Sequence, residues 1–224
     1  MGKRQFGVLG LGVFGSSVVK TLSEYDCEVL AVDSDLTCVE RVVPYATRAV
    51  QADMTNIDQL RHIGMGECDV VIVGTGSHLE DSIMAIMNLK ELGVGYIVAK
   101  AKNKQYMTIL EKIGADKVIR PEKEAGERIA KSLLSQNIVD LIDVDDKYSI
   151  VDIHIPATWA NKSLIELNVR SRFGINIIGI RKHGDEDHLE LNVTPNYIFN
   201  EDDQILVVAE TSSIEELDIL GKLK

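Results

Sequence analysis

The chain has 224 residues, 45% hydrophobic and 26% charged, which is enough apolar material for one large or two small domains. A formal net charge of −11 argues against nucleic acid as a partner, because phosphate backbones are gripped by clustered Lys and Arg. No apolar run approaches the roughly 18 residues that cross a bilayer, and "MGKRQFGVLG" lacks a signal peptide's hydrophobic stretch, so a cytoplasmic protein is expected.

In chain order, apolar runs of strand length fall at 5–9, 28–32, 48–52, 69–73, 96–100 and 117–119. Segments of helical spacing lie between them, such as 78–92, where Ile83, Ile86, Met87, Leu89 and Leu92 can share a face. Strands apolar on both faces, alternating with helices, predict an α/β domain: a doubly wound, Rossmann-like parallel sheet covered on each side. Gly93 and Gly95 follow one helix and Gly114 another, as left-handed C-caps would. Pro121 opens a long helical stretch suited to leaving the first domain. Cys27, Cys38 and Cys68 show neither metal nor disulfide spacing and read as reduced core thiols.

After about residue 139 the pattern changes to short β-branched runs at 148–155, 175–180, 188–193 and 204–210, with helical pieces at 163–169 and 213–223. Residues 140–224 carry 17 acidic and 8 basic side chains, against 18 and 16 in residues 1–139. Two domains are expected, 1–139 and a small α+β unit at 140–224, joined by a structured helix rather than a tether.

"FGVLGLGVFGSSVVKTL" places three glycines between a strand and a helix. Gly10 allows the tight turn, Gly12 a close approach of backbone to pyrophosphate, and Gly15 close packing of helix on strand, while the helix amides point at the anion. Asp33 ends the second strand, where a carboxylate accepts ribose hydroxyls and disfavours a 2′-phosphate, so NADP is not expected.

Signs of catalysis are missing. The second half offers His154, His183 and His188 in a strand and an acidic hairpin, and "KHGDEDHLEL" reads as a solvated tip rather than a metal site. There is no G-x-S-x-G elbow, P-loop or H-E-x-x-H. Two rivals share the first domain: an NAD-dependent oxidoreductase, which would need an acid or base near the nicotinamide, and an NADH-sensing, DNA-binding regulator, which would need a basic winged helix.

Over nearly its whole length the chain resembles the RCK-domain regulatory subunits of bacterial Ktr/Trk potassium uptake systems. The resemblance rests on the glycine loop with "EVLAVDSD", "YATRAVQADMTN", "VIVGTGSHLEDSIMAIMNLKELGV", "VAKAKN", "LEKIGADKVIRPEKEAG" and "LNVRSRFGINIIGI". It implies a non-enzymatic protein with ATP or ADP in the first domain. Gly10, Gly12, Val13, Phe14 and Gly15 would form the phosphate loop, Asp33 would hold the ribose, and Asp53 and Met54 the adenine. Gly74, Thr75 and Lys100 would lie beside the phosphates. Glu122 would present a carboxylate across a subunit interface, near the terminal phosphate or a cation; no metal ligand set is assigned. Val13 stands where many members carry an arginine, which weakens the expected grip on phosphate and blurs ATP from ADP.

In the second domain the resemblance implies a cyclic di-AMP site, with Arg170 at phosphate, Asn176 and the backbone of Ile175 and Ile177 at the base, and Pro195 lining the pocket. It further implies dimers in an octameric ring on the cytoplasmic face of a potassium-translocating membrane subunit, whose pore the nucleotides control.

Overall fold

The computed structural model describes residues 4–76, 78–134, 138–185 and 187–214. By its contacts the chain divides into two compact units, Met1–Pro121 and Glu122–Lys224.

The first unit alternates strand and helix: β1 (Gln5–Leu9), α1 (Val13–Glu24), β2 (Glu28–Asp33), α2 (Leu36–Val42), β3 (Arg48–Gln51), α3 (Ile57–His62), β4 (Val70–Val73), α4 (Leu79–Glu91), β5 (Tyr96–Lys100), α5 (Lys104–Ile113) and β6 (Lys117–Ile119). The strands form one parallel 6-stranded sheet of order β3-β2-β1-β4-β5-β6. This is the doubly wound order, and the reversal between β1 and β4 is its topological switch point. Side-chain alternation sends Leu9, Val32, Val71, Val73, Ile97 and Ala99 to a core under α4 and α5. It sends Val8, Val29, Ala31, Val70 and Ile72 to a second core with Val19, Val39 and Val42 of α1 and α2. With both faces covered, the strands read as continuous apolar runs, which is why the sequence exposes them so well.

Helix ends follow local chemistry. Asn56 caps α3 by accepting from the N–H groups of Asp58 and Gln59, and Asn103 caps α5 by accepting from Tyr106. Gly93 and Gly114 take the expected left-handed backbone, at φ 82° and 117°; Gly95 does not, because the chain has already turned at Leu92 and Gly93.

Pro121 opens α6 (Pro121–Leu134), which follows β6 in the chain. Its Lys131 pairs with Asp143 and its Arg128 with Asp140 at 3.9 Å, so by contact α6 goes with the second unit, and the division falls earlier than residue 139. The second unit is a 4-stranded antiparallel sheet of order β7-β8-β10-β9, with β7 (Ile138–Asp143), β8 (Tyr148–His154), β9 (Asn176–Arg181) and β10 (Gln204–Glu210). Its core gathers Val151, Ile153, Trp159, Ile175, Phe199, Ile205 and Val207.

Three local expectations change here. β7 was not read from the sequence. The helical piece at 163–169 is two short helices, α7 (Leu164–Leu167) and α8 (Val169–Phe173), split at Asn168, whose φ of 44° breaks the spiral. No strand forms at 188–193. There Glu190 makes an isolated bridge to Ile180, and beyond it the chain serves α7, Tyr197 and Pro195 accepting the N–H groups of Leu164 and Ile165 at 3.0 and 2.9 Å. Residues 211–214 are helical, and the remainder of the expected terminal helix at 213–223 lies outside the described residues.

Asp116 ties β5 to β6. Its carboxylate accepts the Ile97 N–H at 2.8 Å and pairs with Lys90 at 3.1 Å, and these bonds hold it below the ordinary carboxylate range, the Ile97 amide contributing most. Because the folded-state value is depressed, the stabilisation is present above the unfolded pKa of about 3.9 and is lost as pH falls through the lower folded value. Asp116→Asn is expected to lower Tm at neutral pH by a few degrees and to reduce the further loss of Tm on acidification below about pH 4; thermal melts across that range measure it.

Candidate functional site

The nucleotide candidates converge on the C-terminal edge of the parallel sheet. Gly10 leaves β1 at φ 88°, and its N–H donates to Val32 O at 2.8 Å. A Cβ on Gly15 would collide with the Gly10 carbonyl oxygen, and one on Gly74 would lie 2.9 Å from the same atom. The turn into α1, the start of α1 and the end of β4 therefore touch backbone to backbone. Gly12, the N-cap of α1, faces open space. The first amides of α1 have no partner within the helix, and its first turn carries no acidic residue, so an anion there meets donors without repulsion. Val13 is 90% exposed at this mouth.

Asp33 braces the loop. Its Oδ2 accepts the Leu11 N–H at 2.6 Å and its Oδ1 the Asp35 N–H at 2.9 Å. Each oxygen keeps acceptor capacity for a hydroxyl, while the two amides fix the carboxylate's direction. The buried Ser16 hydroxyl donates to Leu11 O at 2.6 Å, holding the next peptide of the turn. Leu11 and Ser16 were not singled out in the sequence, which signals glycines more clearly than the residues that stiffen them. Cys38, on the following helix, is a held thiol: burial first, then the Asp33 and Asp35 carboxylates, push its pKa up. Burial pushes Cys68 up to about 11.

Thr75 follows Gly74 and is half-buried beside Gly10. The Lys100 stem passes close to Gly76, and its ammonium lies 5.8 Å from the Phe14 ring centroid, which places a cation beside the glycine loop. Asp53 is exposed after β3. Its Oδ1 accepts both the N–H and the hydroxyl of Thr55 at 2.8 and 2.7 Å, and its own N–H donates to Gln59 Oε1 at 2.8 Å. Met54 packs half-buried against the core. Glu122 is exposed at the start of α6, in the second compact unit.

In the second unit, Arg170, Ile175, Asn176 and Ile177 line one open cleft of about 340 Å³ with Leu164, Ile165, Asn168 and Val169. Ile175 is fully buried at its base, whereas Arg170 and Asn176 are exposed. Pro195 does not line the cleft, but its carbonyl accepts the Ile165 N–H and so positions a lining residue. The Ser163–Glu166 capping box and the left-handed Asn168 and Gly174 set the two short helices around it. The hairpin histidines pair with acids, His188 with Asp185 at 2.6 Å and His183 with Asp202 at 3.9 Å, and no metal-binding cluster occurs among the described residues. Among those residues no helix is long and apolar enough to cross a membrane.

A glycine loop at the switch point, a carboxylate at the end of β2 and a small antiparallel domain are the features of a Rossmann-like fold of the RCK type. Residues 6–121 match the TrkA-N domain and residues 148–219 the TrkA-C domain. The chain is 39% identical over 218 residues to Ktr system potassium uptake protein A of Bacillus subtilis (strain 168), covering 97% of each. It is 34% identical to Ktr system potassium uptake protein C of the same organism, covering 96% of each. The chain belongs to the Ktr/Trk family of RCK regulatory proteins. Among solved structures the GsuK RCK domain superposes with a TM-score of 0.68 at 16% identity, covering 98% of this chain and 48% of that one. A GsuK channel bound to NAD gives 0.67 at 15%, covering 98% and 40%. The chain thus spans about half or less of those solved chains, and they share its fold.

Gly15→Ala forces a methyl against the Gly10 carbonyl. It is expected to cost about 1–3 kcal/mol of stability, the range for overpacking, and to abolish nucleotide binding; denaturant unfolding and calorimetry on the same sample measure both.

Proposed function

We propose that this chain is a nucleotide-sensing regulatory subunit of a potassium uptake system and not an enzyme. It binds ATP or ADP in the first unit and cyclic di-AMP in the second. The observation that carries the reading is the cradle at the switch point: Gly10, Gly15 and Gly74 in backbone contact, Asp33 fixed by two amides, and Lys100 beside the loop. Diphosphate lies over Gly12 and the α1 amides, ribose hydroxyls on Asp33, adenine against Asp53 and Met54, with Gly74, Thr75 and Lys100 flanking the phosphates. Glu122 serves a neighbouring subunit's terminal phosphate or its cation.

Two copies facing each other across the Arg170 cleft would offer a two-fold symmetric ligand matching phosphate and base contacts. The cytoplasmic chain forms homodimers, which assemble as an octameric ring on a membrane-embedded potassium-translocating subunit. Each nucleotide shifts the ring between shapes by its difference in affinity for them and by no more. NAD(H) is the second reading for the first site. Val13, exposed and uncharged at the loop mouth, supplies no cation to a third phosphate.

Calorimetry with the full chain separates these readings. ADP and ATP are expected to bind, and Asp33→Ala to weaken both by about tenfold or more, the scale of a charge-assisted hydrogen bond pair. Unchanged affinity would remove Asp33 from the ribose, and tight binding of NADH alone would replace the adenine nucleotides with a redox cofactor. Arg170→Ala is expected to abolish cyclic di-AMP binding while leaving ADP binding intact. Light scattering at micromolar concentration should show a dimer or larger; a monomer with and without nucleotide would contradict the ring.

A further inference from the structure

Asn88 lies on the buried face of α4 and is 7% exposed. It shares that face with Ala85, Ile86 and Leu89; the other buried polar residue of the helix, Ser82, bonds within its own first turn to His78 O. A carboxamide placed among them requires partners, because burying one without hydrogen bonds forfeits its bonds to water with nothing in return. Its partners come from far along the chain: Nδ2 donates to Thr55 O at 2.9 Å and to Met54 O at 3.3 Å. Carbonyl oxygens can only accept, so the orientation of the carboxamide follows from its surroundings: the NH2 group must face them.

Both carbonyls belong to the short loop between β3 and α3, at the same sheet edge as Gly10, Asp33 and Gly74. The rest of that loop is tied locally. Asp53 Oδ1 holds Thr55, Gln59 Oε1 holds the Asp53 N–H, and Asn56 caps α3. Local bonds fix the loop's shape, but among its side-chain hydrogen bonds those to Asn88 are the ones that reach another helix. They turn the Met54 and Thr55 carbonyls toward the protein interior. The Asp53 carboxylate of the same loop is exposed to solvent.

We infer that Asn88 is a positioning residue for base recognition, holding the loop 53–56 so that it reads adenine over other bases. The inference rests on the reading of this loop as the adenine site. A substituted Asn88 leaves two carbonyls without their donors, and a loop that rotates outward to hydrate them carries Asp53 and Met54 off the base while leaving the glycine loop and Asp33 in place. The consequence is selective: recognition of the base suffers, and the grip on ribose and phosphates does not.

The test compares ADP with CDP, which share ribose and diphosphate and differ in the base. Calorimetry on the full chain is run for the unsubstituted protein, for Asn88→Leu, for Asn88→Asp, which keeps the shape but presents oxygens to the two carbonyls, and for Met87→Ala, a neighbour 54% exposed, as control. ADP affinity is expected to fall about tenfold in Asn88→Leu and Asn88→Asp, with CDP affinity unchanged within twofold. The ADP preference then collapses while Met87→Ala behaves as the unsubstituted chain. Equal losses for ADP and CDP, or an unchanged preference in whichever Asn88 variant keeps a cooperative melt, would overturn the role. If the unsubstituted chain bound neither ADP nor CDP, the adenine-site reading itself would fall, an outcome separate from ADP binding with its preference untouched by Asn88.

Discussion

The structure of the first unit turns on one close approach. Gly10 O stands where neither Gly15 nor Gly74 could carry a Cβ, so the β1–α1 turn, the first turn of α1 and the end of β4 meet as bare backbone. That contact lets β1 and β4 lie side by side where the strand order reverses, and it brings the free amides of α1 to the sheet edge. Other parts of the site are referenced to it. Gly10 bonds β2 through Val32, the adjoining Leu11 amide fixes the Asp33 carboxylate, and Gly74 bonds back to Leu9 O at 2.7 Å. Next to this contact Gly12, at the start of α1, faces open space.

The two units are built on different physics. In the first, two cores sandwich a parallel sheet, and ligand-side chemistry comes from strand ends on a rigid frame. In the second, a single core lies behind an antiparallel sheet, and short helices punctuated by left-handed Asn168 and Gly174 shape an open cleft. A buried aspartate, Asp203, holds the segment that follows Pro195: it accepts from the Tyr197 hydroxyl at 2.7 Å and the Asn200 N–H at 2.8 Å. The cleft is lined by the two short helices and the start of β9, and the loop reaches it through the Pro195 carbonyl, which accepts the N–H of the lining residue Ile165.

How far the sequence reveals this depends on how each feature is encoded. Parallel strands buried on both faces are continuous apolar runs, and the glycine contact is written in residues that few other functions require, so sheet and phosphate loop are legible. β7 is not: Ile138, Leu141 and Ile142 fit a helical face as well as a strand, and only pairing with β8 decides. The alternation of Leu189, Leu191 and Val193 suggests a strand, yet Leu191 is 60% exposed and the following residues are drawn to the free amides of α7. Asn88 was quoted inside an amphipathic helix without being singled out. A polar residue on a buried face was the available signal, but its partners, 33 and 34 residues away, are visible only once the chain is folded.

The central claim is that a nucleotide occupies the switch-point edge of the first unit. Hydrogen–deuterium exchange of the full chain with and without saturating ADP tests it most directly. Protection concentrated in residues 10–16, 33–35, 53–56 and 74–76 is the predicted result. Protection elsewhere with these segments unchanged, or no protection at all, would contradict it.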